Sequence, residues 1–223
     1  MSNLESITIT ALEHTISQCN KCSLSNSRNR TVPGEGNYDA QVMVIGEAPG
    51  SNEDKTGRPF AGRAGNLLNE LLDSVGIKRS QIYITNMLKC RPPSNRDPQQ
   101  SEIDSCKPYL DLQISLIKPS VIITLGRFSF SKFFPGIPLS KARGVVREWD
   151  GIKILPIYHP AAALYNPSLK PKLLQDFQKI TSLINMDKPP VFEQTAPHAA
   201  KSILFGLNII FKGFDVMHGY EAF

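Results

Sequence analysis

The sequence predicts an α/β protein, a three-layer α/β/α arrangement around a central, mostly parallel four-stranded sheet. Three observations predict it. Short apolar runs recur at 41–46, 81–87, 121–125 and 153–158. Segments with helical spacing separate them, and strands alternating with helices imply parallel strands covered on both faces. Nothing inside residues 1–186 reads as a linker, so that stretch is taken as one domain.

The elements follow in order. QVMVIG (41–46) is a buried strand feeding the turn Gly46-Glu47-Ala48-Pro49-Gly50. Leu67, Leu68, Leu71, Leu72 and Val75 recur at helical spacing, which predicts a helix over Asn66–Val75 that stops at Gly76. Gln81–Met87 is a second strand, and Pro98 to Lys118 reads as a helix interrupted near Pro108. Val121–Leu125 is a third strand closed by Gly126, with a helix beginning near Arg127. Lys153–Tyr158 is a fourth strand running into His159-Pro160, and Leu169–Met186 a helix entered through Pro171. Residues 187–223 differ in character, with a linker-like DKPPVFEQTAPHAA before the apolar ILFGLNIIFKGF. This C-terminal extension suits either packing on itself or docking on a sliding clamp.

With 223 residues, 41% of them hydrophobic, the chain can bury a sizeable core. It has no run of eighteen apolar residues and no signal-peptide layout at its start, so a cytoplasmic protein without a membrane span is expected. The formal net charge of +5 is a mild basic excess. Arg28 and Arg30 follow the first cysteines, Lys89 and Arg91 flank Cys90, and Lys141, Arg143 and Arg147 share one loop. That placement suits a polyanion, or an ordinary solvated surface.

All four cysteines fall in two groups, Cys19/Cys22 as C-x2-C and Cys90/Cys106 as C-x15-C. The second spacing is too wide for one knuckle, so a site using all four is assembled by folding. With none left over, a four-cysteine metal or cluster site is favoured over two disulfides, which cytosolic proteins seldom keep.

Ligands of such sheets sit beyond the carboxyl ends of the strands. That edge collects Glu47, Asn86 and His159. The 46–50 loop is neither G-x-G-x-x-G nor a phosphate-binding Walker loop, which disfavours a nucleotide cofactor. Glu53 to Gly62 reads as a long binding loop, in which Phe60 is either a plate for a planar ligand or a plug for the core. The Asn86 amide offers a donor and an acceptor to the edge of a base, or caps its strand. His159 is held extended by Pro160 and is a candidate electrophile.

Gly46-Glu47-Ala48-Pro49-Gly50, Thr56-Gly57-Arg58-Pro59-Phe60-Ala61-Gly62, Thr85-Asn86-Met87-Leu88-Lys89-Cys90-Arg91-Pro92-Pro93 and His159-Pro160-Ala161-Ala162 occur in this order. Together with the cysteine spacings they resemble the iron–sulfur, family-four uracil-DNA glycosylases of bacteria and archaea. The resemblance runs from about Cys19 to about Ile184 and leaves out 187–223. It implies a monomeric repair enzyme near the nucleoid that flips uracil out of single- or double-stranded DNA and hydrolyses its glycosidic bond. Cys19, Cys22, Cys90 and Cys106 would hold a [4Fe–4S] cluster, structural rather than redox-active, that places Lys89, Arg91 and Arg28 near the DNA. Phe60 would stack on uracil, Asn86 would pair with its O4 and N3 edge, and Glu53 would stand where thymine carries its methyl. His159 would donate to O2 as charge develops. Better-known uracil glycosylases carry an aspartate where this chain has Ala48, so Glu47 is the nearest carboxylate for water. Leu164 is the wedge candidate after the His-Pro motif, and Lys141, Arg143 and Arg147 would line the phosphate track. A sister subtype that crosslinks to its product carries a histidine in a basic insertion, and Lys141–Arg147 has none. The rival from another class is a non-catalytic iron–sulfur or zinc protein that binds nucleic acid.

Overall fold

The computed structural model describes residues 8–184. The boundary near residue 186 and the apolar tail with its clamp reading lie outside the described residues.

Six strands form one sheet: β1 (Glu35–Gly36), β2 (Val42–Gly46), β3 (Tyr83–Asn86), β4 (Val121–Leu125), β5 (Arg147–Trp149) and β6 (Ile152–Ile157), in spatial order β1-β3-β2-β4-β6-β5. The central four are parallel, in the register Val44↔Ile84, Val44↔Ile123 and Ile123↔Leu155. They match the four expected strands. The count of four is corrected to six by β1 and β5, which pair antiparallel at the two edges. At two and three residues, half exposed, these edge strands are too short to carry a period of their own.

Every residue of β2, β3 and β4 is buried, which is why they read as unbroken apolar runs rather than alternating ones. On one face, Val44, Ile84, Ile123 and Leu155 pack with Leu67, Leu68, Leu71 and Leu72 of α3 (Arg63–Asp73) and with Leu173 and Phe177 of α8 (Lys170–Gln178). Truncating the fully buried Leu71 to Ala would cost about 2–5 kcal/mol. The opposite face is covered by α1 (Ile9–Ser17) and α4 (Gln100–Ile117). There the Tyr83 hydroxyl donates to Glu13 at 3.1 Å and accepts from Gln113 Nε2 at 3.0 Å.

Three expectations change in detail. First, α4 runs through Pro108 without interruption, since seventeen other positions offset the single bond that proline forgoes. Second, the last helix divides at Lys179 into α8 and α9 (Ile180–Leu183). Third, the first four residues of the expected 53–62 binding loop belong to helix α2 (Ser51–Thr56). Its sequence SNEDKT is polar all round and shows no apolar stripe. It starts because the Glu53 carboxylate accepts the Gly50 N–H, and it stops at Gly57, whose φ of +75° is left-handed. Two more short helices, α5 (Arg127–Ser131) and α6 (Leu139–Ala142), follow β4, and α7 (Pro160–Tyr165) follows β6.

Candidate functional site

Parallel strands bring their carboxyl ends to one edge, and there the sheet assembles the site. Gly46 ends β2 directly opposite Asn86 at the end of β3. A Cβ on Gly46 would lie 2.3 Å from Asn86 Oδ1 and 2.7 Å from Phe60 Cζ, so only glycine lets amide and ring meet there. Asn86 is 2% exposed, yet among the described residues nothing hydrogen-bonds its side-chain amide. The amide is not among the fully enclosed, unpartnered side-chain atoms, so its tip stays open at the strand end, where a ligand could pair with it.

Phe60 is buried with φ +51°, a backbone state that costs a non-glycine residue about 1–3 kcal/mol. Arg79 offsets this by donating to the carbonyls of Pro59 and Phe60, and it is itself held by Glu35 at 2.9 Å. The Phe60 ring lies nearly parallel to His159, with centroids 5.5 Å apart and planes at 23°. Phe60 also belongs to the hydrophobic core cluster, so the ring packs in the core and faces His159 at the same time.

His159 follows β6 and caps α7. Its Nδ1 accepts the Ala161 N–H at 3.1 Å, so the neutral ring carries its proton on Nε2. Burial pulls its pKa down to about 4, with Glu53 opposing. At neutral pH the ring is thus an uncharged Nε2–H donor. Glu53 accepts the Gly50 N–H at 3.1 Å and the Gly62 N–H at 2.9 Å, clasping both ends of the Phe60 loop near His159.

Glu47 is half-buried just past β2, beside the half-buried Ala48. Burial raises its carboxyl pKa, and Asp97 adds to the rise while Arg127 opposes it. Arg127, at the end of β4, pairs with Asp97. These two residues beside Glu47 were not evident in the sequence, because Asp97 lies in a loop and Arg127 two residues past a strand.

The cysteine region sits next to this edge. Burial raises the Cys90 thiol, with Cys22 and Cys19 adding to the rise, and it pushes Cys106 up to about 12. Cys19 and Cys22 thus lie near enough to act on Cys90, although among the described residues no three His, Cys, Asp or Glu side chains are grouped as for one metal ion. Arg28 donates to Cys90 Sγ at 3.3 Å and to the Cys19 carbonyl at 2.5 Å, and the Lys89 N–H donates to Cys106 Sγ at 3.3 Å. Such sulfur contacts suit thiolate ligands.

Several expected DNA contacts point elsewhere. Lys89 is 1% exposed and Arg28 turns onto the cysteines, which corrects their placement at a DNA face. Arg143 is committed to the buried Asp176 at 2.6 Å, an acid that α8 supplies from 33 positions later. Arg147 lies over Phe134, with its Nε buried and unpartnered. Arg91 is half-buried against Asn95 at 2.8 Å, and Lys141 is exposed. Leu164 is half-buried against the core, whereas its neighbour Tyr165 is 91% exposed. A tyrosine that ends the six-residue helix begun at Pro160 was the available sequence signal for an exposed aromatic.

Residues 33–181 match the profile of the uracil DNA glycosylase superfamily. The chain belongs to that superfamily. It is 49% identical over 193 residues to a type-4 uracil-DNA glycosylase of Sulfurisphaera tokodaii, covering 82% of this chain and 86% of the relative. Type-4 uracil-DNA glycosylases of Saccharolobus solfataricus (48% identical, 76% of this chain and 83% of the relative) and Archaeoglobus fulgidus (44%, 80% and 94%) are similar over comparable lengths. The matched span of the superfamily contains Gly46, Glu47, Phe60, Asn86 and His159, along with Cys90 and Cys106, but not Cys19 or Cys22.

Proposed function

We propose that this protein is a DNA repair glycosylase that flips uracil out of DNA and hydrolyses its N-glycosidic bond, leaving an abasic site. The observation that carries the reading is the convergence of an unpaired buried Asn86 amide, the Phe60 ring and the Nε2–H of His159 on one sheet edge. Uracil presents an acceptor at O4 beside a donor at N3, and one asparagine amide satisfies both. Cytosine presents the reverse, so an amide held in one orientation leaves it unpaired, which is a basis for rejection. Phe60 stacks on the flipped base, and the Glu53 clasp holds the wall of the slot beside C5.

As the bond to the sugar breaks, negative charge gathers on the base. The His159 Nε2–H donates to O2 and strengthens as that charge grows, so it acts mainly in the transition state. A ring with a pKa of about 4 remains a neutral donor throughout. Glu47, raised above the usual carboxylate range, orients water toward the cationic sugar rather than acting as a strong base. Ala48 next to it has no group for that task. The exposed Tyr165, next to Leu164, is a second candidate for filling the gap left by the flipped base.

Four thiols with no histidine among them suit a [4Fe–4S] cluster held by Cys19, Cys22, Cys90 and Cys106. A cubane holds its ligands at separate corners, so they need not close to the distances of one shared ion. Its contribution would be structural, bracing residues 19–30 against the strand that ends at Asn86. Partner and place follow from the same reading: DNA, met by a monomer in the cytoplasm at the nucleoid.

The test is release of free uracil from a defined uracil-containing oligonucleotide, with the strand left abasic and uncut. DNA binding without release would favour the non-catalytic alternative. Iron content and visible absorbance of the purified protein test the cluster.

A further inference from the structure

We infer that Lys89 is a positioning residue for base recognition, joining the four-cysteine region to Asn86. Its consequence rests on the glycosylase reading, while its geometry stands apart from it. The ammonium is enclosed and donates to three oxygens: the Asn86 carbonyl at 2.7 Å, Thr85 Oγ1 at 2.6 Å and Gln113 Oε1 at 2.6 Å. Proton bookkeeping shows all three as acceptors. The Thr85 hydroxyl donates its own proton to the Pro33 carbonyl at 2.7 Å. Gln113 Nε2 donates to Pro33 at 2.8 Å and to the Tyr83 hydroxyl at 3.0 Å, which leaves Oε1 to accept.

Among the described residues no carboxylate pairs with this ammonium. Its three direct partners are neutral oxygens, so a fixed set of hydrogen bonds rather than an ion pair holds the side chain at the strand end. The Lys89 backbone supplies the other half of the link. Its N–H donates to Cys106 Sγ at 3.3 Å, its carbonyl accepts from Val32 at 2.7 Å, and Cys90 is the next residue. Because the Asn86 amide has no protein partner, its aim depends on its backbone. That backbone is fixed by the Met87 and Leu88 N–H groups, bonded to Gly46 and Glu47 at 3.1 and 3.0 Å, and by Lys89.

The test replaces Lys89 with Met, which keeps the length and removes the donors. Free uracil, used as a competitive inhibitor, probes the base slot. Hydrogen exchange of the 83–90 segment probes its order without any reaction, and affinity for uracil-free single strands reports the DNA surface. Loss of one charge-assisted bond predicts about tenfold weaker uracil inhibition. Exchange at Met87 and Leu88 is expected to quicken, with DNA affinity and iron content within about twofold of wild type. Uracil inhibition and exchange both unchanged would overturn the inference. So would a parallel fall of uracil inhibition, DNA affinity and iron content, the signature of a general structural role. Should Lys89→Met fail to fold, Thr85→Val removes one acceptor and is expected to weaken uracil inhibition about threefold. No change there would overturn the inference equally. Wild-type protein that releases no uracil sinks the glycosylase reading alone, and the exchange measurement then decides the role of Lys89 by itself.

Discussion

Substituting Gly46 with Ala tests the site with the smallest possible perturbation, one methyl group. The added Cβ would stand 2.3 Å from Asn86 Oδ1 and 2.7 Å from Phe60 Cζ, against ordinary contacts of about 3.5 Å. Both groups must therefore retreat by about 1 Å, away from the position where a base edge and a base face would be met. The backbone of Gly46 is ordinary strand, paired to Asn86 of β3 and outside the left-handed region, so alanine brings no conformational penalty there. A displacement of about 1 Å at reacting groups is worth about 10²-fold in rate, or about 2.7 kcal/mol of barrier. The assay is single-turnover excision from a uracil-containing single strand with enzyme in excess, alongside thermal melting of the variant. The expected result is a rate down about 10²-fold in a protein that still melts cooperatively, its Tm lowered by the ~1–3 kcal/mol that such overpacking costs. A folded Gly46→Ala protein within about threefold of the wild-type rate would refute the claim that Asn86 and Phe60 read the base from this edge.

Four other outcomes follow. Because burial lowers the His159 pKa to about 4, the ring is neutral in the folded protein well below its ordinary value of 6.5. The pH–rate profile should lack a limb at 6.5 and lose activity on the acid side only as pH approaches about 4, whereas stability linked to this ring is whole above 6.5 and declines as pH falls toward about 4. Tyr165→Ala should leave stability within about 0.5 kcal/mol and weaken DNA binding about tenfold, the worth of one stacked base, as read by anisotropy. Arg143→Ala should instead destabilise by about 2 kcal/mol or more, since it leaves Asp176 with only Lys179 at 3.9 Å, and denaturant unfolding measures this. Lys141→Ala, at an exposed position, should leave stability unchanged.

The parts legible in the sequence and the parts that were not divide along physical lines. The four central strands could be read because burial on both faces turns each into an unbroken apolar run, and a polar residue at the end of such a run stands out. Glu47, Asn86 and His159 were found that way. Their mutual placement needed only the parallel order of the strands. The loop around Phe60 was read as binding, but its helical start was hidden because SNEDKT owes its helix to the Gly50–Glu53 contact and not to an apolar face. Charges were the least legible. Lys89, Arg28 and Arg143 look alike in sequence to Lys141, yet each is drawn inward by a partner far along the chain: Gln113 for Lys89, Cys90 for Arg28, Asp176 for Arg143. Surface and interior cations differ by their tertiary partners, which spacing does not record.

The central claim is that a neutral His159 drives departure of a base held by Asn86 and Phe60. It is tested most directly by single-turnover release of uracil at neutral pH by wild type and by His159→Ala. The account predicts release by wild type and a rate at least about 10²-fold lower in the variant, with DNA binding retained. Equal rates in the two proteins would contradict it.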